Sequence, residues 1–181
     1  MIGMSVLGKV GLVAAAVVVV GYLAGPETGA SGAAGRCAVR GAASGPVAGY
    51  GPAQVGNAAV IAAVGRRMGV PERGRVVAVA TAMQESRLRN LDHGDRDSLG
   101  LFQQRPSQGW GTPEQVRDPA YAAGKFYERL VQVPNWQTGR LTEVAQRVQR
   151  SGFPDAYQKH EAMAVALTAA LRAAGGELDC R

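Results

Sequence analysis

Glu85 ends an alanine-rich apolar run, AVATAMQES, and stands directly before RLRNLDHGDRDSLGLFQQRPSQGWGT, a stretch crowded with Gly, Asp, Ser and Gln. A carboxyl group held against apolar side chains keeps its proton to higher pH, because burial disfavours the ionised form. Such an acid can protonate a leaving oxygen, the step that glycosidic cleavage needs as an oxocarbenium-like centre develops. The bland alternative is a surface charge at a helix end. Cleavage by two carboxylates would need a second acid, and Asp92, Asp95 and Asp97 lie near Glu85 in the chain. An enzyme whose substrate supplies its own nucleophile needs only one.

Other chemistries find less support. The two histidines, His93 and His160, are far apart and have no cysteine partners at metal-site spacing, so neither a metal nor a cofactor is expected. His93 reads as an exposed loop residue. The net charge of +6 comes mainly from arginine. These arginines are scattered and form no basic stripe with interleaved aromatics, which argues against nucleic acid and leaves an anionic envelope polymer or a membrane surface as the partner. Four aromatics, Trp110, Trp136, Tyr121 and Tyr127, have faces on which a sugar could stack. The tyrosines, at helical spacing, read as core. Trp110, in a Gly-rich loop beside the Gln pair, fits either the cleft or the core.

The elements that must position these residues are helical. Apolar spacing predicts a helix over residues 54–68, stopped at Gly69, and a second opened by Pro71 and Glu72 that carries Glu85 near its end. On that second helix Val76, Val79, Ala80 and Met83 share one face, while Ala78, Ala82 and Glu85 share the next, a face of small residues that lets substrate or backbone approach. Thr112-Pro113-Glu114-Gln115 has the form of a capping box with proline at the first helical position. Further helices are predicted over residues 119–131, 141–150 and 154–174. Strand-like alternation is almost absent, so the expected fold class is all-α.

The chain divides by composition into three parts. In residues 1–24 the only charged side chain is Lys9, and residues 10–24 are uninterrupted apolar, between a signal-peptide core and a span of about 20 residues. This segment is expected to be a signal peptide or a transmembrane anchor, which puts the remainder outside the cytoplasm at the cell membrane, or secreted if the segment is cleaved. Residues 25–52, rich in Gly, Ala, Ser and Pro, read as a flexible linker. Residues 53–181 are long enough for one core. Cys37 and Cys180 bracket it. An even, minimal count in an exported chain suggests one disulfide, closing a loop of roughly 140 residues worth about 4–5 kcal/mol in the chain-entropy model. The alternative is two unrelated thiols.

Taken together, Glu85-Ser86 and Ser98-Leu99-Gly100-Leu101-Phe102-Gln103-Gln104 resemble the signature of lysozyme-like soluble lytic transglycosylases. In that family a Glu-Ser pair ends a buried helix, and a turn containing Ser, Gly and Gln follows. The run DPAYAAGKFY resembles the family's later helix, and GDRDSLGLFQQRPSQGWGT with VQRS-x-FPDAY is similar to a domain found in exported actinobacterial proteins. The resemblance spans about residues 54–172. It implies a lysozyme-like helical fold and an enzyme that cleaves the MurNAc-GlcNAc bond of peptidoglycan. Glu85 would be the general acid and later base, and the acetamido group or 6-hydroxyl of the muramyl unit the nucleophile. Ser98, Gln103 and Gln104 would bind substrate or orient the acid, with Trp110, Gln149 and Tyr157 as further contacts. A conjugation or secretion apparatus spanning the envelope is the implied protein partner. One departure stands out. Where the family carries Ala-Tyr-Asn, this chain has Arg147-Val148-Gln149, so Val148 replaces a tyrosine near the acid, and Tyr157 is the nearest candidate to stand in. That departure supports an alternative, a glycan-binding or scaffold module without turnover. A third reading is a membrane-tethered helical adaptor for a protein partner.

Overall fold

The computed structural model describes residues 37–40, 47 and 49–180, with backbone only for residues 37–40 and 177–180. All of them fall in one compact unit, Ala33–Arg181. The expected signal or anchor segment, residues 1–24, lies outside the described residues. Among the described residues no helix is long and apolar enough to cross a membrane.

The described residues are mostly helical. Six helices follow in order: α1 (Pro52–Arg67), α2 (Glu72–Ser86), α3 (Pro113–Val116), α4 (Pro119–Leu130), α5 (Leu141–Gln149) and α6 (Glu161–Ala173). Two short 3-10 turns, Pro106–Gln108 and Gln158–His160, interrupt the longer connections. The centre of the molecule is α2, in contact with α1, α4, α5 and α6. Its Val76, Val77, Ala78, Val79, Ala80, Ala82 and Met83 are all buried, so both faces read from the sequence are covered. A helix that is apolar all round belongs in a core, and small Val and Ala side chains let four neighbours pack close to one axis.

Local signals explain most helix ends. Gly69 takes a left-handed conformation (φ 69°) after α1, and Val70 N–H returns to Gly65 O at 2.8 Å. Thr112 and Gln115 cap α3 reciprocally, side chain to backbone, at 3.3 and 2.9 Å. Asp118 caps α4 by accepting from Tyr121 N–H at 2.7 Å.

Two expectations need correction. The final helix begins at Glu161, not near residue 154. Residues 151–158 serve α5 instead: Phe153 N–H bonds Ser151 Oγ, Thr142 Oγ1 donates to Pro154 O, and Gln158 Oε1 accepts the Thr142 N–H that α5's first turn leaves open. The second correction concerns residues 25–52. Cys37–Arg40 forms a strand, β1, paired antiparallel with β2 (Glu177–Cys180), in register Cys37↔Cys180 through Arg40↔Glu177. Backbone hydrogen bonding to a distant partner orders a segment that its own composition could not.

Candidate functional site

Glu85 reaches the site because α2 runs through the core and stops one residue later. Arg87 and Leu88 both turn left-handed (φ 55° and 56°), which ends the helix sharply. Their carbonyls are taken up by α1, with Gln54 donating to Arg87 O and Asn57 to Leu88 O, each at 2.8 Å. Ser86 Oγ lies 3.0 Å from Ala82 O and 2.8 Å from Leu101 O, which ties the following loop to the helix end. The serine of the Glu-Ser pair is therefore a staple, buried and outside the lining of the groove that Glu85 enters.

The loop folds into a tight hairpin closed by Leu99 and Gln104, whose backbones exchange two hydrogen bonds of 3.0 Å. Gly100 makes it possible. Its φ is +76°, and a Cβ there would meet Val116 O at 2.2 Å. Gly94 backs the hairpin: a Cβ would fall 1.9 Å from Gln103 Oε1. Gln103 Nε2 donates to Gly100 O at 3.2 Å and His93 O at 3.3 Å, which fixes the side chain beside the cleft.

A cavity of about 420 Å³ opens here. Glu85, Ser98, Gln103 and Gln149 all line it, so four residues chosen from the sequence meet at one groove. The Ser98 side chain has no hydrogen-bond partner among the described residues and is available to a ligand. Burial pushes the half-buried Glu85 carboxyl above its ordinary value of 4.5, and hydrogen bonds from Tyr157 and Gln149 offset part of that rise. Tyr157 Oη donates to Glu85 Oε1 at 2.7 Å. Its own ionisation is pushed well above the usual tyrosine range, by burial first and by the Glu85 charge second, so it remains a neutral donor. The nearby Ser151 side chain offsets part of that rise. Gln149 Nε2 also donates to Phe102 O at 2.7 Å, joining α5 to the hairpin.

Tyr157, arriving from the segment before α6, thus stands beside the acid. Val148 is 3 % exposed and packs in the core.

Three expected substrate contacts do not line the groove. Tyr157 is fully buried and spends its hydroxyl on Glu85. Gln104 is buried and donates from Nε2 to Ala122 O at 3.0 Å, locking the hairpin to α4. Gln103 takes a left-handed backbone in the turn (φ 46°) and faces the groove, whereas Gln104, paired with Leu99, points inward. Trp110 is also buried, with the Arg129 guanidinium 3.3 Å from its ring centroid; it does not line the Glu85 cavity. Tyr127 is core, its hydroxyl donating to Ile61 O at 3.0 Å, and His93 is exposed beside Asp92. For the two cysteines, the backbone register sets Cys37 opposite Cys180, and their side chains lie outside the described residues.

Of the three nearby aspartates, Asp95 alone lines the cavity. Asp97 accepts from Arg105 Nε at 2.6 Å and Ser107 N–H at 2.8 Å, which hold its carboxyl far below the usual range as a structural ion pair. Asp92 is engaged with His93.

No family model and no curated protein matches the chain. The functional reading therefore rests on the site.

Sequence reading passed over Phe153, Arg150, Arg105 and Gln108, which also line the cavity. Phe153 is 76 % exposed. An aromatic ring left in water at the rim of a polar groove offers a flat apolar face to a ligand. An apolar residue inside the turn SGFPD was the available signal.

Proposed function

We propose that the chain is an exported peptidoglycan-cleaving enzyme of lysozyme-like fold, acting on the MurNAc-GlcNAc bond with Glu85 as its single acid. The observation that carries this reading is a half-buried carboxyl, raised in pKa, facing a polar groove with a neutral tyrosine donor at 2.7 Å. A carboxyl whose pKa is raised keeps its proton to higher pH and can give it to the glycosidic oxygen as the carbon–oxygen bond breaks. The electron pair of that bond leaves with the oxygen, and positive charge develops on the sugar ring. Ionised Glu85 then accepts the Tyr157 and Gln149 hydrogen bonds, which favour the carboxylate and ready it to act as base in the second half.

The nucleophile is the substrate's acetamido or 6-hydroxyl group, or water. In this reading Ser98 would receive the acetamido group, Gln103 would bind a sugar, and the Phe153 ring would stack on a sugar face; all three line the groove. The motif resemblance around Glu85-Ser86 and the Gln pair supports the same substrate class, as does the apolar segment at residues 1–24. A binding module without turnover was motivated by Val148, and the presence of Tyr157 beside Glu85 favours the enzyme.

Incubating the full chain in detergent with purified peptidoglycan, and weighing the released muropeptides, tests the proposal. Wild type is expected to release anhydro or reducing-end fragments, and Glu85→Gln to lose about a thousandfold in rate, a typical loss where a general acid and its charge are both removed. Equal release by the two proteins sinks the catalytic role of Glu85.

A further inference from the structure

A second cavity, larger than the first at about 610 Å³, lies between the end of α4, the turn after it and α5. Arg129, Arg147 and Arg150 line it, over an apolar floor of Val133 and Val148. Gln108 and Arg150 line both cavities, so the two adjoin and one bound ligand can occupy them together.

The second cavity is short of negative charge. Glu128 is the one carboxylate that lines it, and Lys125 holds that group at 2.8 Å. The three guanidinium groups are largely unspent. Arg129 donates to Gly109 O and Arg147 to Pro134 O, each at 3.3 Å, and Arg150 forms no hydrogen bond or ion pair through its side chain among the described residues. A guanidinium has five N–H donors, so most remain open. Arg129 is also pre-oriented, its guanidinium carbon 3.3 Å from the Trp110 ring centroid. Its affinity for a proton falls below the usual range, first from burial and then from the charge of Arg150. Like charges crowded at a half-covered site repel one another, and an anion seated between them would relieve that cost.

Arg150 has a further peculiarity. It caps α5 in the left-handed conformation (φ 54°), where glycine is the easy choice. The residue at the junction of the two cavities carries charge in spite of its backbone.

We propose that this arginine-lined cavity is a subsite for the carboxylate-bearing peptide branch of the glycan strand whose bond Glu85 cleaves. The inference rests on the glycan reading above. The sugars of such a strand are themselves neutral where the lactyl group is in amide linkage. Negative charge close to the cut must then come from the peptide carboxylates. Arginine pairs with carboxylate through two parallel N–H···O bonds, and the apolar floor suits short aliphatic side chains. The enzyme would thus select strands that still carry their peptides over stripped ones.

Binding is measured on the full chain carrying Glu85→Gln, which prevents turnover, with soluble strand fragments of one length. Three forms are compared: with free peptide carboxylates, with those carboxylates amidated, and with the peptides removed. The free-carboxylate form is expected to bind about tenfold more tightly than the other two, the scale of one charge-assisted contact. Adding Arg147→Gln or, independently, Arg150→Gln should abolish that difference. Equal binding of all three forms overturns the assignment and leaves the glycan reading intact. Stronger binding of glycerol-phosphate oligomers than of the peptide-bearing fragments also overturns it, in favour of a phosphate polymer. Binding of the free peptide that depends on Arg147, with no binding of any peptide-free strand, would keep the anionic site and sink the glycan reading.

Discussion

At the scale of single residues, the raised pKa of Glu85 leaves a signature in stability. Its carboxyl sits above the ordinary 4.5 in the folded chain, chiefly because burial removes water from the anion. From about pH 4.5 up to that raised value the folded state binds more protons than the unfolded one, so stability falls as pH rises through the interval. Glutamine cannot ionise and is spared that loss. Thermal unfolding of Glu85→Gln and wild type should therefore nearly coincide at pH 4, with the variant higher by a few degrees at pH 7.5. A gap that does not widen with pH contradicts a raised pKa. Tyr157 is the next test. Its hydrogen bond lowers the Glu85 pKa, so Tyr157→Phe should move the alkaline limb of the kcat/KM profile to higher pH, with kcat down about tenfold. A merely structural tyrosine would cost activity without moving the limb. Much of this was legible in the chain. The apolar run before Glu85 announces burial, and Ser98, Gln103 and Gln149 do reach the same groove. The Gln103-Gln104 pair shows where reading stops. Composition gives both residues the same standing, and only the left-handed turn at Gln103 sends one to the groove while Gln104 reaches Ala122 O.

At the scale of elements, the site depends on a hairpin with no helical or strand periodicity of its own. Ser86 holds it from below through Leu101 O, Gln149 from α5 through Phe102 O, and Gln104 pins it to α4. Gly100 is the position with no slack, since a Cβ would stand 2.2 Å from Val116 O with φ at +76°. Gly100→Ala should lower stability by about 2 kcal/mol or more, roughly 5 °C, through strain and displacement of α3. If the substitution leaves the melting temperature unchanged, the hairpin is not held as described. The longer helices were readable because α4 and α5 bury periodic apolar faces and α1 and α2 are apolar runs, and the Thr112 capping box marks the start of α3. Residues 154–160 were not. Pro154 offers a helix start ahead of the alanine-rich α6, yet the Ser151 turn, the Thr142 bond to Pro154 O and the inward placement of Tyr157 outweigh helix propensity. The chemistry gained by that override is the phenol beside Glu85.

At the scale of the whole molecule, the two ends of the folded unit meet in a sheet that local reading could not find. Strands of four residues, CAVR and ELDC, carry little periodicity, and pairing between segments so far apart in sequence leaves no local trace. The register sets Cys37 opposite Cys180, which is the placement a cross-strand disulfide requires. Export, as proposed above, would put the pair in an oxidising compartment and close the bond. The bond would then staple β1 and β2, and with them the start of α1 and the end of α6. In the chain-entropy model a loop of this length is worth about 4–5 kcal/mol, and measured bonds more often return 2–4. Cys37→Ser, Cys180→Ser and the double variant should each lower the melting temperature by roughly 10 °C, and by the same amount, because one bond is lost in every case. Alkylation before and after reduction, read by mass, reports the bond directly. Full labelling of both thiols in unreduced, exported protein overturns it. Since Arg66 of α1 donates to Gly176 O beside β2, loosening the sheet should reach α1 before it reaches α2. Hydrogen exchange in the double variant is therefore expected to rise first in α1 and α6, while the amides around Glu85 on α2 stay protected.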